Sequence, residues 1–314
     1  MQGVKLLPQV EEYWTQVAFP ALKREFPQLY SDLAAGLVGN GSECFGFDDL
    51  ISRDHDWGVD FSLWVKEADQ SEIKRLKKWK EQLFCDCPPR HLRHTSEYGA
   101  SIGISTVGDF YLNLIGISHE PQTLSQWYRI PEENLALAVN GAVFWDGPGL
   151  FTSVRTKLLH YYPEDIRKKK IAVRCMSIAQ TGQYNYSRMF GRQDRVAMHI
   201  VLSRFVQDVI KMVYHLNRAY CPYYKWMWKG MRSLPILGEY MAVQLRLLTQ
   251  ISPDSKAAFL EQVNIISDIC AQLVQSLRSQ GLSDSDDWFL AEHGKAVNER
   301  IENIGLKDIP PQCL

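Results

Sequence analysis

Apolar residues in the first part of the chain recur at helical spacing. Val10, Trp14, Val17 and Leu22 are three to five positions apart and can share one buried face. This pattern predicts one or two helices over about residues 8–34. A helical segment therefore precedes the first strand.

Strand patterns then follow. The apolar run that ends at Leu37-Val38 predicts a short strand, and the alternation over residues 56–65 predicts a second one. Residues 68–84 are charged and amphipathic, which predicts a helix, and residues 99–107 predict a further strand. This order of elements is typical of a small mixed sheet with helices packed on it.

Beyond about residue 120 the periodicity becomes helical, with Pro222 and Pro235 as interruptions. The clearest predicted helices cover about residues 163–181, 185–219, 238–250, 254–280 and 286–302. We therefore expect an α+β fold, with a mixed sheet and flanking helices in a domain over residues 1–120. An all-helical C-terminal domain over residues 121–314 is expected to follow.

Composition and charge exclude several classes of protein. Hydrophobic residues make up 46% of the 314 residues, so the chain is globular, and its net charge of −1 gives no global attraction to DNA or anionic membranes. No apolar run reaches the roughly 18–20 residues of a membrane span. The N-terminal segment contains Glu11 and Glu12 and lacks an apolar signal core, and the seven cysteines are scattered. A cytoplasmic protein without a membrane partner is expected.

The candidate chemistry lies between the first two predicted strands. Gly41 and Ser42 form a turn after the first strand, and Asp54-His55-Asp56 follow. In an extended strand, Asp54 and Asp56 would present both carboxylates to one face, with His55 on the other. Paired carboxylates suit Mg²⁺ or Mn²⁺, and the turn offers backbone N–H groups to a triphosphate. The spacing predicts a metal site that handles a nucleotide.

The same residues carry a family resemblance. The run GNGSECFGFDDLISRDHDWGVDFSLWV resembles the DUF4037 family within the DNA polymerase β-like nucleotidyltransferase superfamily, and the later run LNRAYCPYYKW is similar to that family too. The resemblance implies a minimal nucleotidyltransferase sheet and a helical domain that closes over the nucleotide. It also implies transfer of an NMP group from an NTP, with ATP expected, to an acceptor hydroxyl with release of pyrophosphate. The acceptor stays open between a small molecule, a protein side chain and an RNA end.

A third carboxylate is expected for two-metal transfer. The resemblance places it on a later strand, near Gly103, where this chain has no acid. Asp109 and Glu97 are the nearest candidates for this catalytic role. An ordinary residue at a helix N-terminus is the favoured interpretation of Asp109, and transfer with two acids is a further alternative. Asp48 and Asp49, in the intervening loop, are interpreted as capping or solvated residues.

The second half offers cations and aromatic rings for the nucleotide. Pro222 is expected to start a helix whose first turn presents Lys225 to the triphosphate from the second domain. Tyr223 or Tyr224 then stacks on the base or bonds a phosphate. The alternative is an aromatic packing cluster with a lysine whose head reaches solvent.

Two arginines at i,i+4 spacing, Arg188 and Arg192, are a further candidate. They share a helix face and could hold phosphates or an anionic acceptor. Solvated surface arginines are the alternative.

Two further patterns favour simpler interpretations. The cluster of Cys85, Cys87, His91 and His94 has soft ligands, but its spacing is not that of a usual zinc finger, and we interpret it as a loop. The basic run KRLKKWK is interpreted as a solvated helix face. Because the third acid is not evident, a catalytically silent nucleotide sensor or interaction protein remains the alternative to an enzyme.

Overall fold

The computed structural model describes residues 5–53, 56–67, 69–93 and 102–311. The chain divides into two compact units, Met1–His160 and Tyr161–Leu314. The division falls later than the expected boundary after residue 120. Additional helices and a strand beyond residue 120 belong to the sheet-containing unit, which explains the later position.

Unit 1 contains a four-stranded mixed sheet with the order β3-β2-β1-β4. The strands are β1 (Leu33–Leu37), β2 (Ser62–Val65), β3 (Ile104–Thr106) and β4 (Ala142–Asp146). β1 pairs antiparallel with β2 and β4, and β2 pairs parallel with β3. All five residues of β1 are buried, so β1 is the centre of the unit.

Helices cover both faces of this sheet. They are α1 (Leu6–Tyr13), α2 (Phe19–Glu25), α3 (Gln70–Asp86), α4 (Val107–Ile115), α5 (Leu124–Arg129), α6 (Glu132–Val139) and α7 (Leu150–Leu159). Leu33 and Leu63 belong to a core cluster with residues of α1, α2 and α3. On the other face, the Trp64 ring stacks on Phe151 of α7 at 4.0 Å and meets Phe110 of α4 edge-on. The alternation of the strands thus fills two separate cores.

Unit 2 is helical throughout the part that the structure describes. Its helices are α8 (Glu164–Ile178), α9 (Tyr186–Gly191), α10 (Arg195–Leu216), α11 (Tyr224–Met231), α12 (Gly238–Gln250), α13 (Lys256–Ser279), α14 (Leu290–Glu299) and α15 (Ile304–Lys307). A π-helical segment, Ala179–Asn185, joins α8 to α9. The buried carboxylate of Asp208 accepts hydrogen bonds from Arg174, Ser177 and Arg204, which satisfies this charge within the core.

The α+β class and the helical C-terminal region are confirmed, and the predicted α12 and α13 differ from the structure by two residues or fewer. Two strand predictions need correction. The second strand was expected over residues 56–65, but β2 begins only at Ser62. The region after residue 120 was expected to be helical, yet it contains β4, which pairs with the central strand.

Among the described residues, α13 alone has the length and mean hydropathy, 1.2, that a membrane span requires. Its residues Ile265, Ile269 and Leu273 are buried in the core of unit 2. Core helices share these properties with membrane spans, so this helix is weak evidence for a membrane.

Candidate functional site

A glycine-rich turn follows the C-terminal end of β1. Gly39 and Gly41 have φ angles of 117° and 130°, in the left-handed region that favours glycine. The carboxylate of Glu43 folds back over Gly41, where a Cβ atom would collide with it. The backbone path therefore requires glycine at position 41, which explains the pattern that the sequence shows.

The turn is fixed by a side chain from a distant part of unit 1. The Gly39 N–H donates to Asn140 Oδ1 at 2.8 Å, and Asn140 Nδ2 donates to the Gly39 carbonyl at 2.7 Å. These reciprocal bonds mimic a strand pair and hold both polar groups of Gly39. Sequence reasoning missed Asn140, because no local pattern connects it to the turn.

The segment that carries Asn140 is itself held by Arg155. Arg155 Nη2 of α7 donates to the carbonyl groups of Val139, Asn140 and Gly141 at 2.7, 3.0 and 3.2 Å. Burial lowers the pKa of Arg155, since the charged guanidinium loses water. The Gly141 N–H donates to the Cys44 carbonyl at 2.7 Å, beyond the turn. The segment of residues 139–141 therefore contacts the turn at the N-terminal and the C-terminal end of the turn.

The remaining backbone donors of the turn are unpaired in the part of the chain that the structure describes. The N–H groups of Asn40, Gly41, Ser42 and Glu43 have no acceptor among the described residues. Asn40 is exposed, Gly41 and Ser42 are half-buried and Glu43 is buried, so the first three of these residues lie at or near the surface. Successive backbone N–H groups in such a turn form a concave site for anions.

A cavity of about 420 Å³ lies beside the turn. Its volume falls within the range of about 300–1,000 Å³ that is typical of small-molecule sites. It is bounded by the turn, β2, β3, α3 and α4. Its lining residues are Val38, Gly39, Asn40, Trp64, Lys77, Ile102, Gly103, Ile104, Ser105, Phe110, Asn113 and Leu114. In this described lining Lys77 is the one charged side chain.

The predicted metal ligands are described only in part. Asp54 and His55 lie outside the described residues. Asp56 is half-buried and has a φ angle of 51°, so it is not in extended backbone. The strand geometry that would place both carboxylates on one face therefore does not hold at Asp56. The Asp54–Asp56 metal site stays a prediction, without its original geometric argument.

The acids of the intervening loop have structural roles. Asp48 is buried, and its carboxylate accepts the Leu6 N–H at 2.9 Å at the start of α1. Asp49 accepts the N–H groups of Ile51 and Ser52 in a short turn. The interpretation of both residues as capping residues is confirmed.

The third carboxylate is not evident in the described part of the site. Gly103 precedes β3, its carbonyl accepts the Leu63 N–H at 3.0 Å, and a Cβ atom there would meet no atom within 4 Å. Asp109 is exposed in the first turn of α4, behind the N-cap Thr106, and does not line the cavity. Its catalytic role stays a prediction, and its position favours the alternative of an ordinary helix residue. Glu97 lies outside the described residues.

Two ion pairs lie beside β2 and were not predicted. Arg93 Nη1 and Glu43 Oε1 are 2.7 Å apart and buried, so this pair locks the carboxylate that covers the turn. Lys80 of α3 pairs with Asp60 at 2.5 Å and donates to the Phe61 carbonyl at 2.6 Å. Burial lowers the pKa of Lys80, and the charge of Asp60 partly opposes this shift.

In unit 2 the predicted cation and rings lie on α11. The helix begins at Tyr224 with Tyr223 as its N-cap, so the prediction that Pro222 starts it is wrong, but Lys225 lies in the first turn as expected. The Lys225 ammonium lies 5.2 Å from the Trp226 ring centre. The rings of Tyr223 and Tyr224 are 4.2 Å apart and exposed. Their role toward a nucleotide stays a prediction.

The predicted pair of arginines does not share one continuous helix. α9 ends at Gly191, so Arg192 lies just beyond it. The Arg188 guanidinium lies over the Tyr184 ring at 4.8 Å, and Arg192 contacts the sulfur of Met189 at 4.0 Å. Both have local partners, and their role in binding phosphate or an acceptor stays a prediction.

A second cavity, of about 530 Å³, lies within unit 2 between α10, α12 and α13. Tyr186, His199 and Gln262 are among its lining residues. Neither Lys225 nor Arg188 lines it. It therefore does not include the residues that the sequence predicted for nucleotide binding.

The residues with zinc-like spacing are only partly described. Cys85 is exposed on α3, Cys87 ends that helix, and the His91 ring lies 5.4 Å from that of Trp57. His94 lies outside the described residues. Within the described part, no group of three or more His, Cys, Asp and Glu residues is placed to hold a metal ion.

Comparison with known proteins gives one family match. Residues 127–227 match the model of a family described as a domain of unknown function, DUF4037, which confirms that resemblance for less than half of the chain. The match includes Asn140, Arg155 and Lys225. No curated protein matches the chain. The chain is also similar to the solved structure of a nucleotidyltransferase-like protein from Exiguobacterium sibiricum 255-15. The sequence identity is 12% and the TM-score is 0.37, and the match covers 92% of this chain and 78% of that chain. A likeness that weak carries no functional argument.

Proposed function

We propose that the protein binds a nucleoside triphosphate at the turn of residues 39–42 and transfers its nucleotidyl group to an acceptor hydroxyl. The observation that carries this proposal is the run of N–H groups from Asn40 to Glu43, which have no acceptor among the described residues. Phosphate groups commonly bind to successive backbone donors of this kind, and a triphosphate can accept hydrogen bonds from several of them. The adjoining cavity has room for the rest of a nucleotide.

Each part of the chain has a distinct task in this proposal. Asn140 and Arg155 hold the turn in place before the ligand arrives, so its donors need no reorganisation. Asp54 and Asp56 supply hard carboxylate oxygens, a donor set that fits Mg²⁺ or Mn²⁺. The bound metal ion would neutralise phosphate charge and polarise the reacting phosphoryl group.

The reaction exchanges one bond for another at the α-phosphorus. The acceptor oxygen forms a bond to the α-phosphorus, and the bond from this phosphorus to the bridging oxygen breaks. Pyrophosphate leaves with that electron pair, and the proton of the acceptor hydroxyl passes to a base or to water. ATP is the proposed donor. The acceptor class is a small molecule, a protein or an RNA end.

The test uses ATP labelled on the α-phosphate or on the γ-phosphate, with Mg²⁺ and cell extract. The proposal expects label from the α-phosphate on an acceptor product, whose nature identifies the acceptor, and none with Asp56→Asn. Label from the γ-phosphate should appear in pyrophosphate. The matched control is Asp49→Asn, since asparagine can still accept the hydrogen bonds that Asp49 accepts. Label from the γ-phosphate on the acceptor, and not in pyrophosphate, would instead indicate a kinase and contradict the proposal.

A second candidate is nucleotide binding without transfer. The observation that favours it is the open space at Gly103 and the lack of a carboxylate in the described cavity lining. ATP binding without label transfer would support it. Gly103→Glu places a carboxylate at this position, and a gain of transfer in that variant would show that the missing acid had silenced the site.

A further inference from the structure

One lysine of α3 differs from its neighbours in where it lies. The helix carries Lys74, Lys77, Lys78 and Lys80. Lys80 is paired with Asp60, whereas Lys77 lines the cavity beside the turn. Lys74, Lys77 and Lys78 are all exposed, but of these three only Lys77 lines the cavity. The interpretation of the basic run as a solvated face therefore holds for these three lysines and fails for Lys80.

The charge of Lys77 has no acidic partner in the part of the chain that the structure describes. Among the described residues, no carboxylate lies within ion-pair distance of its ammonium group, and no acid lines the cavity. A lysine that faces a cavity with no acid attracts an anionic ligand there. The other described lining residues are apolar or neutral, and the Glu43 carboxylate, which covers Gly41, is paired with Arg93.

The position of Lys77 complements the backbone donors. Asn40 lines the same cavity and begins the run of N–H groups that have no acceptor among the described residues. A lysine ammonium together with successive backbone N–H groups is a recurrent way to bind phosphate, in which the lysine acts as a point charge. Lys77 and the first residue of this run therefore line one cavity, within one compact unit of the chain.

We infer that Lys77 binds the terminal phosphates of the nucleotide in this cavity. The inference rests on the proposed function for the identity of the ligand, but the anion site itself follows from the cavity and its donors. It assigns the phosphate-binding cation to unit 1. The sequence pattern instead predicts Lys225, in unit 2, as the cation that binds the triphosphate.

Calorimetry with ATP, tripolyphosphate and adenosine, each in the presence of Mg²⁺, tests the inference on the full chain. Lys77→Ala should weaken ATP and tripolyphosphate binding roughly 10- to 150-fold, the effect of one lost hydrogen bond to a charged group. Adenosine binding should change little, because adenosine has no phosphate. Lys77→Arg should restore most of the affinity.

Lys78→Ala is the matched control, since it removes the same charge from the next position of α3. Thermal unfolding of each variant verifies that it is folded. Equal losses in Lys77→Ala and Lys78→Ala, or no loss in Lys77→Ala, would overturn the inference. If the wild type binds tripolyphosphate but not ATP, the proposed function fails while the anion site stands. If it binds neither, both fail.

Discussion

At the scale of single residues, the turn depends on contacts that are far apart in sequence. Gly41-Ser42 could be predicted from the sequence, since a left-handed turn after a strand favours glycine. Asn140, which holds Gly39, lies 101 positions away. Lys77 is one of several similar lysines, and only the packing of α3 on the sheet distinguishes it. These residues were missed because their roles arise from tertiary contacts.

Asn140→Ala should therefore affect both stability and binding. The variant loses both bonds to Gly39 and leaves a half-buried N–H and carbonyl without partners, which costs about 1–3 kcal/mol. A looser turn should also weaken tripolyphosphate binding, measured by calorimetry, with little change for adenosine. Asn134→Ala, which removes the same side chain from α6, should leave anion affinity unchanged. Unaltered tripolyphosphate affinity in a destabilised Asn140→Ala would show that Asn140 has a structural role only.

At the scale of elements, helices were easier to predict than strands. Long amphipathic helices such as α12 and α13 have a periodic signal over many residues. β4 was missed because all five of its residues are half-buried, so it shows no alternation. β2 is shorter than expected, since Asp56 is not extended and Val59 forms only an isolated bridge with Leu92.

The ion pair of Lys80 and Asp60 anchors α3 to the residues that immediately precede β2. Lys80→Met should lower the free energy of unfolding by about 1.5–3 kcal/mol, because Asp60 and the Phe61 carbonyl lose a charged donor. Denaturant unfolding measures this effect. The matched variant Lys78→Met, at an exposed position, should change stability by less than about 0.5 kcal/mol. Equal effects of the two variants would rule out the anchoring role.

At the scale of the whole molecule, unit 2 contains a buried histidine, and we therefore expect the folded state to lose stability at acidic pH. His215 is buried, and its Nδ1 lies 2.9 Å from the Tyr161 hydroxyl. Burial, together with the positive charges of Lys170 and Arg174, lowers the pKa of His215 well below its ordinary value. The folded protein therefore keeps this imidazole neutral at a pH where the unfolded chain protonates it.

The sign of the effect follows from linkage. Above a pH of about 6.5, both states hold a neutral His215, which makes no contribution. Below that pH the unfolded chain binds the extra proton, so the free energy of unfolding falls by up to about 1.4 kcal/mol per pH unit. His215→Gln should show a shallower loss of stability by denaturant unfolding between about pH 6.5 and 4.5. The exposed His199→Gln should keep the wild-type slope, and the same slope in His215→Gln would contradict the prediction.

The most direct test of the central claim is a crystal structure with Mg²⁺ and an ATP analogue whose α,β-bridge cannot be cleaved. The account predicts terminal phosphate oxygens about 2.7–3.2 Å from the backbone nitrogens of residues 40–43, with the Lys77 ammonium in contact. The metal ion should lie between these phosphates and Asp56. A nucleotide bound elsewhere, such as in the cavity of unit 2 beside His199, would contradict the account.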